Sequence, residues 1–313
     1  MAVNTILIDF SVEETKLQEE NYRDNVIKGV ETVLINHLKE LQPLYSTKLT
    51  GNLASQASQV NIYQSIRGAL VTLRIFNNGL VTVNIEYYKS NEEEAIISYD
   101  HTRDLEQCLG GVLRAFRSKI LPPVKRGALL DVYLTSSDER LLEYDIDGVI
   151  FEERTPFQKV QIVHSKSLGN MLVLDDLQNI SESDLIYTET LMARGVENYK
   201  DKEICILGGG DGALLYELLK EKPKHVVMLE IDEVVMKACA KHMRSICGDV
   251  LDTYKTENYE IILADCLQTL DKFIAEGRKF DYVFGDLTDI PISTKEENTN
   301  SKIWDFILKI LEL

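Results

Sequence analysis

From residue 202 onward the chain predicts an α/β fold, a parallel sheet with helices on both faces. Three observations carry that expectation. Short apolar runs suited to buried strands recur at 204–207, 226–231, 259–264 and 281–284. Amphipathic segments at 213–219, 233–245 and 267–275 follow the first three runs in turn, and such strand–helix alternation builds parallel sheets. The first run also enters Gly208-Gly209-Gly210-Asp211-Gly212, where glycines permit positive φ and let a ligand approach the backbone closely.

The elements before this region are expected to form two smaller domains. Residues 24–41 carry Val26, Ile27, Val30, Val33, Leu34 and Leu38 at helical spacing. Residues 66–76 and 80–88 alternate as strands around Asn77-Asn78-Gly79, a hairpin turn. A helix over 104–121 is expected from Leu105, Leu109, Val112, Leu113, Phe116 and Ile120, stopping at Pro122-Pro123. Together these make an α+β domain over residues 1–121, with packing or dimerisation as its role. Runs at 129–134, 140–150, 160–165 and 171–174 predict a small antiparallel β domain over 122–180, with Ser136-Ser137-Asp138 and Ser167-Leu168-Gly169-Asn170 as turns. Ser181-Glu182-Ser183-Asp184 then starts a helix over 185–196 and opens the α/β domain, residues 181–313.

Composition narrows the partners. The formal charge is −17, from 51 acids against 34 bases, which disfavours nucleic acid and anionic membrane and favours cationic ligands. The start of the chain has no basic segment followed by an apolar run, and no uninterrupted apolar stretch reaches membrane-spanning length. The five cysteines, Cys108, Cys205, Cys239, Cys247 and Cys266, are scattered without CxxC spacing. They are expected to be reduced thiols of a cytoplasmic protein, and the dispersed histidines give no metal site.

The glycine turn and the strand ends carry the chemistry. Glu230 ends the second strand, where a carboxylate can accept hydrogen bonds from ribose hydroxyls. Asp211 places a negative charge inside the turn, where a phosphate binder would want none. The ligand is therefore expected to be a nucleoside that is neutral or cationic at this end, such as an adenosyl sulfonium. Every strand of the set ends in an acid: Asp211, Glu230 with Asp232, Asp265, and Asp286. Ligands of open α/β sheets sit beyond these carboxyl ends, and so many like charges together are costly unless a cation shares the space.

Several segments in fixed order resemble the aminopropyltransferases. They are Thr155-Pro156-Phe157-Gln158, Ser183-Asp184-Leu185-Ile186-Tyr187, Gly208-Gly209-Gly210-Asp211-Gly212, Glu230-Ile231-Asp232, Asp265-Cys266 and Asp286-Leu287-Thr288. Within that family the likeness is to the spermine synthases of animals. Asp286-Leu287-Thr288 followed by Ile290-Pro291-Ile292-Ser293 stands where spermidine synthases carry Asp-Ser-Ser-Asp. Leu142-Glu143-Tyr144-Asp145-Ile146-Asp147 and Cys247-Gly248-Asp249-Val250-Leu251-Asp252 add to it. The resemblance implies a Rossmann-like, methyltransferase-type catalytic domain behind the antiparallel domain. It also implies an N-terminal domain similar to adenosylmethionine decarboxylase that makes a homodimer.

The implied reaction transfers an aminopropyl group from decarboxylated S-adenosylmethionine to spermidine, releasing spermine and 5′-methylthioadenosine. No cofactor and no metal are implied, because the sulfonium is its own activated leaving group. By the same resemblance Asp286 is the proton acceptor, while Tyr187, Asp211 and Asp184 hold the polyamine. Gln158, Gly208, Gly210, Glu230, Asp232, Asp265 and Cys266 serve the decarboxylated S-adenosylmethionine, Glu230 at its ribose and Asp265 with Cys266 at its adenine.

In the family the chain continues past a helix like 304–311 and adds a Tyr and a Glu to the amine pocket. Low or no turnover is therefore expected of these 313 residues alone. Gly285 before Asp286, and Arg154-Thr155 before Pro156, also depart from the family pattern. Spermidine synthase, a methyltransferase of the same fold, and a non-catalytic dimer partner are the competing readings. The acids at Asp211 and Asp286 count against the methyltransferase.

Overall fold

The computed structural model describes residues 2–39, 41–49, 58–90, 94–136, 138–287 and 310. Its contacts divide the chain into two units, Met1–Leu129 and Leu130–Leu313. Among the described residues no helix is long and apolar enough to cross a membrane.

The first unit holds β1 (Ala2–Ser11), α1 (Glu14–Leu17), α2 (Glu20–Leu38), β2 (Leu41–Leu49), β3 (Ser58–Ser65), β4 (Leu70–Phe76), β5 (Leu80–Lys89), α3 (Tyr99–Leu113), β6 (Arg117–Ile120) and β7 (Val124–Arg126). The strands form one antiparallel sheet in the order β2-β3-β4-β5-β1-β6, with β7 also on β1. Alternation explains the buried face: Val71, Leu73 and Ile75 on β4 and Val81, Val83 and Ile85 on β5 all turn inward. They join Val30 and Leu34 of α2 and Leu105 and Leu109 of α3 in one core, where each fully buried aliphatic side chain contributes about 1.5–3 kcal/mol. The β4–β5 hairpin turns as expected at Gly79, whose φ of 89° favours glycine.

The expected helix over 104–121 is corrected on both ends. It starts at Tyr99, where Ser98 caps it by accepting from the His101 N–H, and stops at Leu113 because Arg114 adopts the left-handed conformation. Arg117–Ile120 is instead a strand on β1. Its apolar residues continue the helical spacing, but Phe116, placed on the helix's apolar face by the sequence, is 76% exposed. The unit is also richer in strands than the helix–hairpin–helix expectation, which lacked β1, β2 and β3.

The second unit begins with a six-stranded sheet: β8 (Tyr133–Thr135), β9 (Leu141–Glu143), β10 (Ile146–Arg154), β11 (Lys159–Ser165), β12 (Gly169–Leu174) and β13 (Leu177–Ser181). The order is β10-β11-β12-β13-β8-β9, antiparallel except for β13 against β8. The expected strand at 129–134 shrinks to Tyr133–Thr135, and Leu129 stands fully in solvent. The run at 140–150 breaks at Tyr144-Asp145 into two strands.

The parallel part follows: α4 (Leu185–Leu191), β14 (Glu203–Gly208), α5 (Ala213–Lys220), β15 (His225–Glu230), α6 (Glu233–His242), α7 (Arg244–Cys247), β16 (Tyr259–Leu263), α8 (Cys266–Ala275) and β17 (Tyr282–Asp286). The sheet runs β16-β15-β14-β17 with every pairing parallel. Ile204, Ile206, Val226 and Met228 face α5, α6 and residues of the six-stranded sheet such as Ile162 and Leu172. Cys205, Leu207, Val227 and Leu229 face Leu270 and Phe273 of α8 on the other side. Both faces are therefore covered, as strands apolar throughout require. The helix expected over 185–196 ends at Leu191, before left-handed Ala193 and Gly195. The helix expected over 304–311 lies outside the described residues except for Ile310, which packs against the Leu270–Phe273 cluster. Thr288 and the Ile290-Pro291-Ile292-Ser293 segment also lie outside the described residues.

Candidate functional site

The strand order reverses direction between β14 and β17, and ligands of such sheets bind outside the carboxyl ends at that point. A cavity of about 370 Å³ opens there, bounded by the glycine turn, the ends of β15 and β17, the start of α8, and β12 and β13 of the six-stranded sheet. That is the size of a small-molecule site.

The turn is shaped by close approaches. Gly208, Gly209 and Gly212 all have φ near 80°, and the Gly209 N–H donates to the Asp286 carbonyl at 2.9 Å. A Cβ on Gly208 would overlap that same carbonyl, and one on Gly210 would lie 2.7 Å from Glu230 Oε2. Glycine here is a requirement of packing as well as of φ.

Among the described residues four carboxylates line the cavity, Asp211, Glu230, Asp265 and Asp286, and no Lys, Arg or His does. Asp211 Oδ1 accepts from the Ala213 N–H at 2.8 Å at the start of α5, and burial pushes its carboxyl up from the ordinary range. Glu230 is 7% exposed, and its Oε1 accepts from the backbone N–H groups of Ile231 and Asp232, 2.8 Å each. Burial still raises it, with the charges of Asp232 and Asp211 adding to the rise against those two hydrogen bonds. Asp286 is pushed up to about 7, first by burial and then by the Asp211 and Glu230 charges, while a hydrogen bond from Tyr187 pulls the other way. A carboxyl poised near neutrality in a cleft is suited to accept a proton.

Asp265 caps α8 by accepting from the Leu267 N–H at 2.9 Å. Cys266 follows it in the wall, its thiol raised chiefly by burial. Gln158 and Tyr187 line the cavity too, with Gly208 and Gly210.

Two of the expected site residues do not reach the lining. Asp184 Oδ2 accepts from the Ser181 N–H (2.8 Å), the Ser181 hydroxyl (2.7 Å) and the Gln178 amide (3.0 Å), which ties the start of α4 to β13. Asp232 is 1% exposed and holds Thr155, Gln158 and the first turn of α6. Residues the sequence did not single out complete the walls: Leu172, Leu174, Asn179 and Ile180 from β12 and β13, with Phe157 and Leu287. The signal for Phe157 and Leu287 was present, since both sit beside residues already marked. β13 carried no recognisable run of its own.

The sheet defines a Rossmann-like fold, and its acid-lined cavity sits at the carboxyl ends of the strands. A model of the spermidine synthase tetramerisation domain matches residues 132–182, and one of the spermine/spermidine synthase domain matches residues 184–312. Over residues 132–312 the chain belongs to the spermine/spermidine synthase family.

Among curated relatives, a polyamine aminopropyltransferase of Clostridium tetani is 31% identical over 170 residues, covering 53% of this chain and 55% of that protein. One of Sulfurisphaera tokodaii is 37% identical over 148 residues, covering 46% of this chain and 47% of that protein. The chain thus spans about half the length of the curated relatives it matches. A crystal structure of spermidine synthase from Thermotoga maritima aligns with a TM-score of 0.44 at 24% identity, over 50% of this chain and 53% of that one.

Proposed function

We propose that this protein transfers an aminopropyl group from decarboxylated S-adenosylmethionine to spermidine, giving spermine and 5′-methylthioadenosine. The observation that carries the proposal is a cavity lined, among the described residues, by four carboxylates and no basic side chain, with one of the four near pH 7. Such a lining favours ligands that bring the positive charge themselves, here a sulfonium and ammonium groups.

The chemistry balances without further reagents. The amine nitrogen attacks the propyl carbon beside the sulfonium, and the carbon–sulfur bond breaks. Its electron pair stays on sulfur, leaving a neutral thioether, and the proton of the attacking amine passes to Asp286. Tyr187 holds the Asp286 carboxylate, and Asp211 supplies a second acid for the polyamine. Glu230 takes the ribose, and Asp265 with Cys266 flanks the base. Alignment of amine and carbon supplies much of the acceleration in such a transfer. Spermidine is favoured as acceptor because Leu287 lines the cavity directly after Asp286, where the resemblance places a serine in spermidine synthases. A cytoplasmic homodimer joined through residues 1–121 belongs to the same reading.

The test incubates the purified protein with decarboxylated S-adenosylmethionine and either putrescine or spermidine, and identifies products by mass. With the protein in excess over the donor, so that low turnover still yields detectable product, spermine and methylthioadenosine are expected from spermidine. Spermidine formed from putrescine alone would reassign the acceptor. Methylthioadenosine released with neither amine would overturn the transfer.

A further inference from the structure

Asp232 lies outside the cavity, yet it sets the chemistry of one cavity wall. Its Oδ1 accepts from the Val234 N–H at 3.1 Å and caps α6. Its Oδ2 accepts from the Thr155 hydroxyl at 2.8 Å and from the Gln158 side-chain Nε2 at 3.1 Å. Thr155 Oγ1 in turn accepts from the backbone N–H groups of Phe157 and Gln158, both at 3.1 Å. A hydroxyl has one proton to give, and the Asp232 carboxylate is both charged and nearer than the alternative acceptor, the Gln158 carbonyl at 3.1 Å. The Thr155-Pro156-Phe157-Gln158 turn is thereby fastened to the end of β15.

This fastening has a polarity. A carboxylate only accepts, so Asp232 selects the NH₂ end of the Gln158 amide and leaves Oε1 as the end turned to the wall that Gln158 forms. In the same wall Glu230 has Oε1 taken by two backbone N–H groups, and its Oε2 stands against Gly210.

We propose that Asp232 and Thr155 are positioning residues that hold Gln158 with its carbonyl toward the nucleoside, so that Gln158 Oε1 and Glu230 Oε2 accept together from the neighbouring hydroxyls of a ribose. The inference rests on the nucleoside reading above and divides the two acids of Glu230-Ile231-Asp232 by role. Glu230 touches the ligand. Asp232 acts through Gln158.

Asp232→Asn tests it with little change of shape. The variant keeps an oxygen to cap α6 but offers Gln158 a donor, so the Gln158 amide turns over and presents its NH₂ to the ribose. Binding of methylthioadenosine and of its 2′-deoxy and 3′-deoxy analogues is measured by calorimetry, with folding checked by thermal melting. Wild type should bind methylthioadenosine, and the variant should bind it about tenfold more weakly. That penalty should largely vanish for whichever analogue lacks the hydroxyl that meets Gln158. Thr155→Val should show the same ligand dependence, and Thr155→Ser should restore binding, which keeps the test open if Asp232→Asn does not fold. Undiminished binding by the variants, or an equal loss for all three ligands, overturns the proposal while leaving the nucleoside reading standing. Wild type that binds none of the three overturns both.

Discussion

Asp286→Asn should abolish transfer and, without ligand, make the protein more stable at alkaline pH. The Asp286 carboxyl is raised from its ordinary 3.8 to about 7 by burial and by the Asp211 and Glu230 charges. Between those two values the folded state keeps a proton that the unfolded state has lost. Stability from this group is therefore fully present below about pH 4 and is lost as pH rises to and through 7. At about 1.36 kcal/mol for each pH unit, the loss by pH 8 is roughly 4 kcal/mol. That is an upper figure, because Asp286 keeps some contact with solvent and shares its repulsion with Asp211. The amide of the variant carries no charge and still accepts from Tyr187, so it lacks this slope. Chemical denaturation from pH 5 to 8.5 should show the variant gaining on wild type as pH rises, with the gap opening around neutrality. A gap independent of pH, or a variant less stable than wild type at pH 8, would refute the electrostatic account. Calorimetry with methylthioadenosine, which lacks the sulfonium charge, should show binding retained.

Three further outcomes are expected. The pH profile of kcat/KM should have an acid limb near 7, the value for Asp286, and Tyr187→Phe should move that limb to higher pH, since it removes the hydrogen bond that holds Asp286 down; an unmoved limb would exclude that bond from the free enzyme. Gly210→Ala places a methyl 2.7 Å from Glu230 Oε2 and should weaken methylthioadenosine binding at least about tenfold by displacing an acceptor, with the melting temperature as control. Arg194→Ala leaves Glu217, 5% exposed, with Lys220 as its remaining ion pair and should cost about 2 kcal/mol in denaturation.

The parallel sheet was legible because its central strands, β14 and β15, are buried on both faces and so appear as unbroken apolar runs. The first unit was harder for the opposite reason. In β1 the buried Ile6, Ile8 and Phe10 alternate with partly exposed Leu7 and Asp9, a pattern present but easily passed over. β2 exposes most of its length and carries no alternation. At residues 114–120 apolar spacing continues the helix on paper, and only the left-handed turn at Arg114 and the open side of β1 decide otherwise. For the site, strand-end acids were legible because parallel strands deliver their carboxyl ends to one side. The Leu172–Ile180 wall was not, since it comes from a different sheet. Nor was the parting of Glu230 from Asp232: a strand period would aim both the same way, but β15 ends at Glu230 and Asp232 turns to cap α6.

On the function proposed above, the acid cluster lets the glycine turn serve two ligands. Gly210 must stay bare so that Glu230 Oε2 can lie against the turn, and Gly208 must stay bare so that β17 can bring Asp286 alongside. Packing of the turn thus fixes Asp211, Glu230 and Asp286 at close quarters regardless of their charges, and the rise of all three carboxyls records the cost. A cation entering the cavity lowers that cost, so each ligand charge is bound more tightly as the carboxylates ionise. Affinity for the sulfonium should therefore rise with pH through neutrality, whereas affinity for methylthioadenosine should stay nearly flat. In the proposed transfer the same coupling would favour turnover, because the sulfonium becomes a neutral thioether and the nucleoside product loses the attraction that held its precursor.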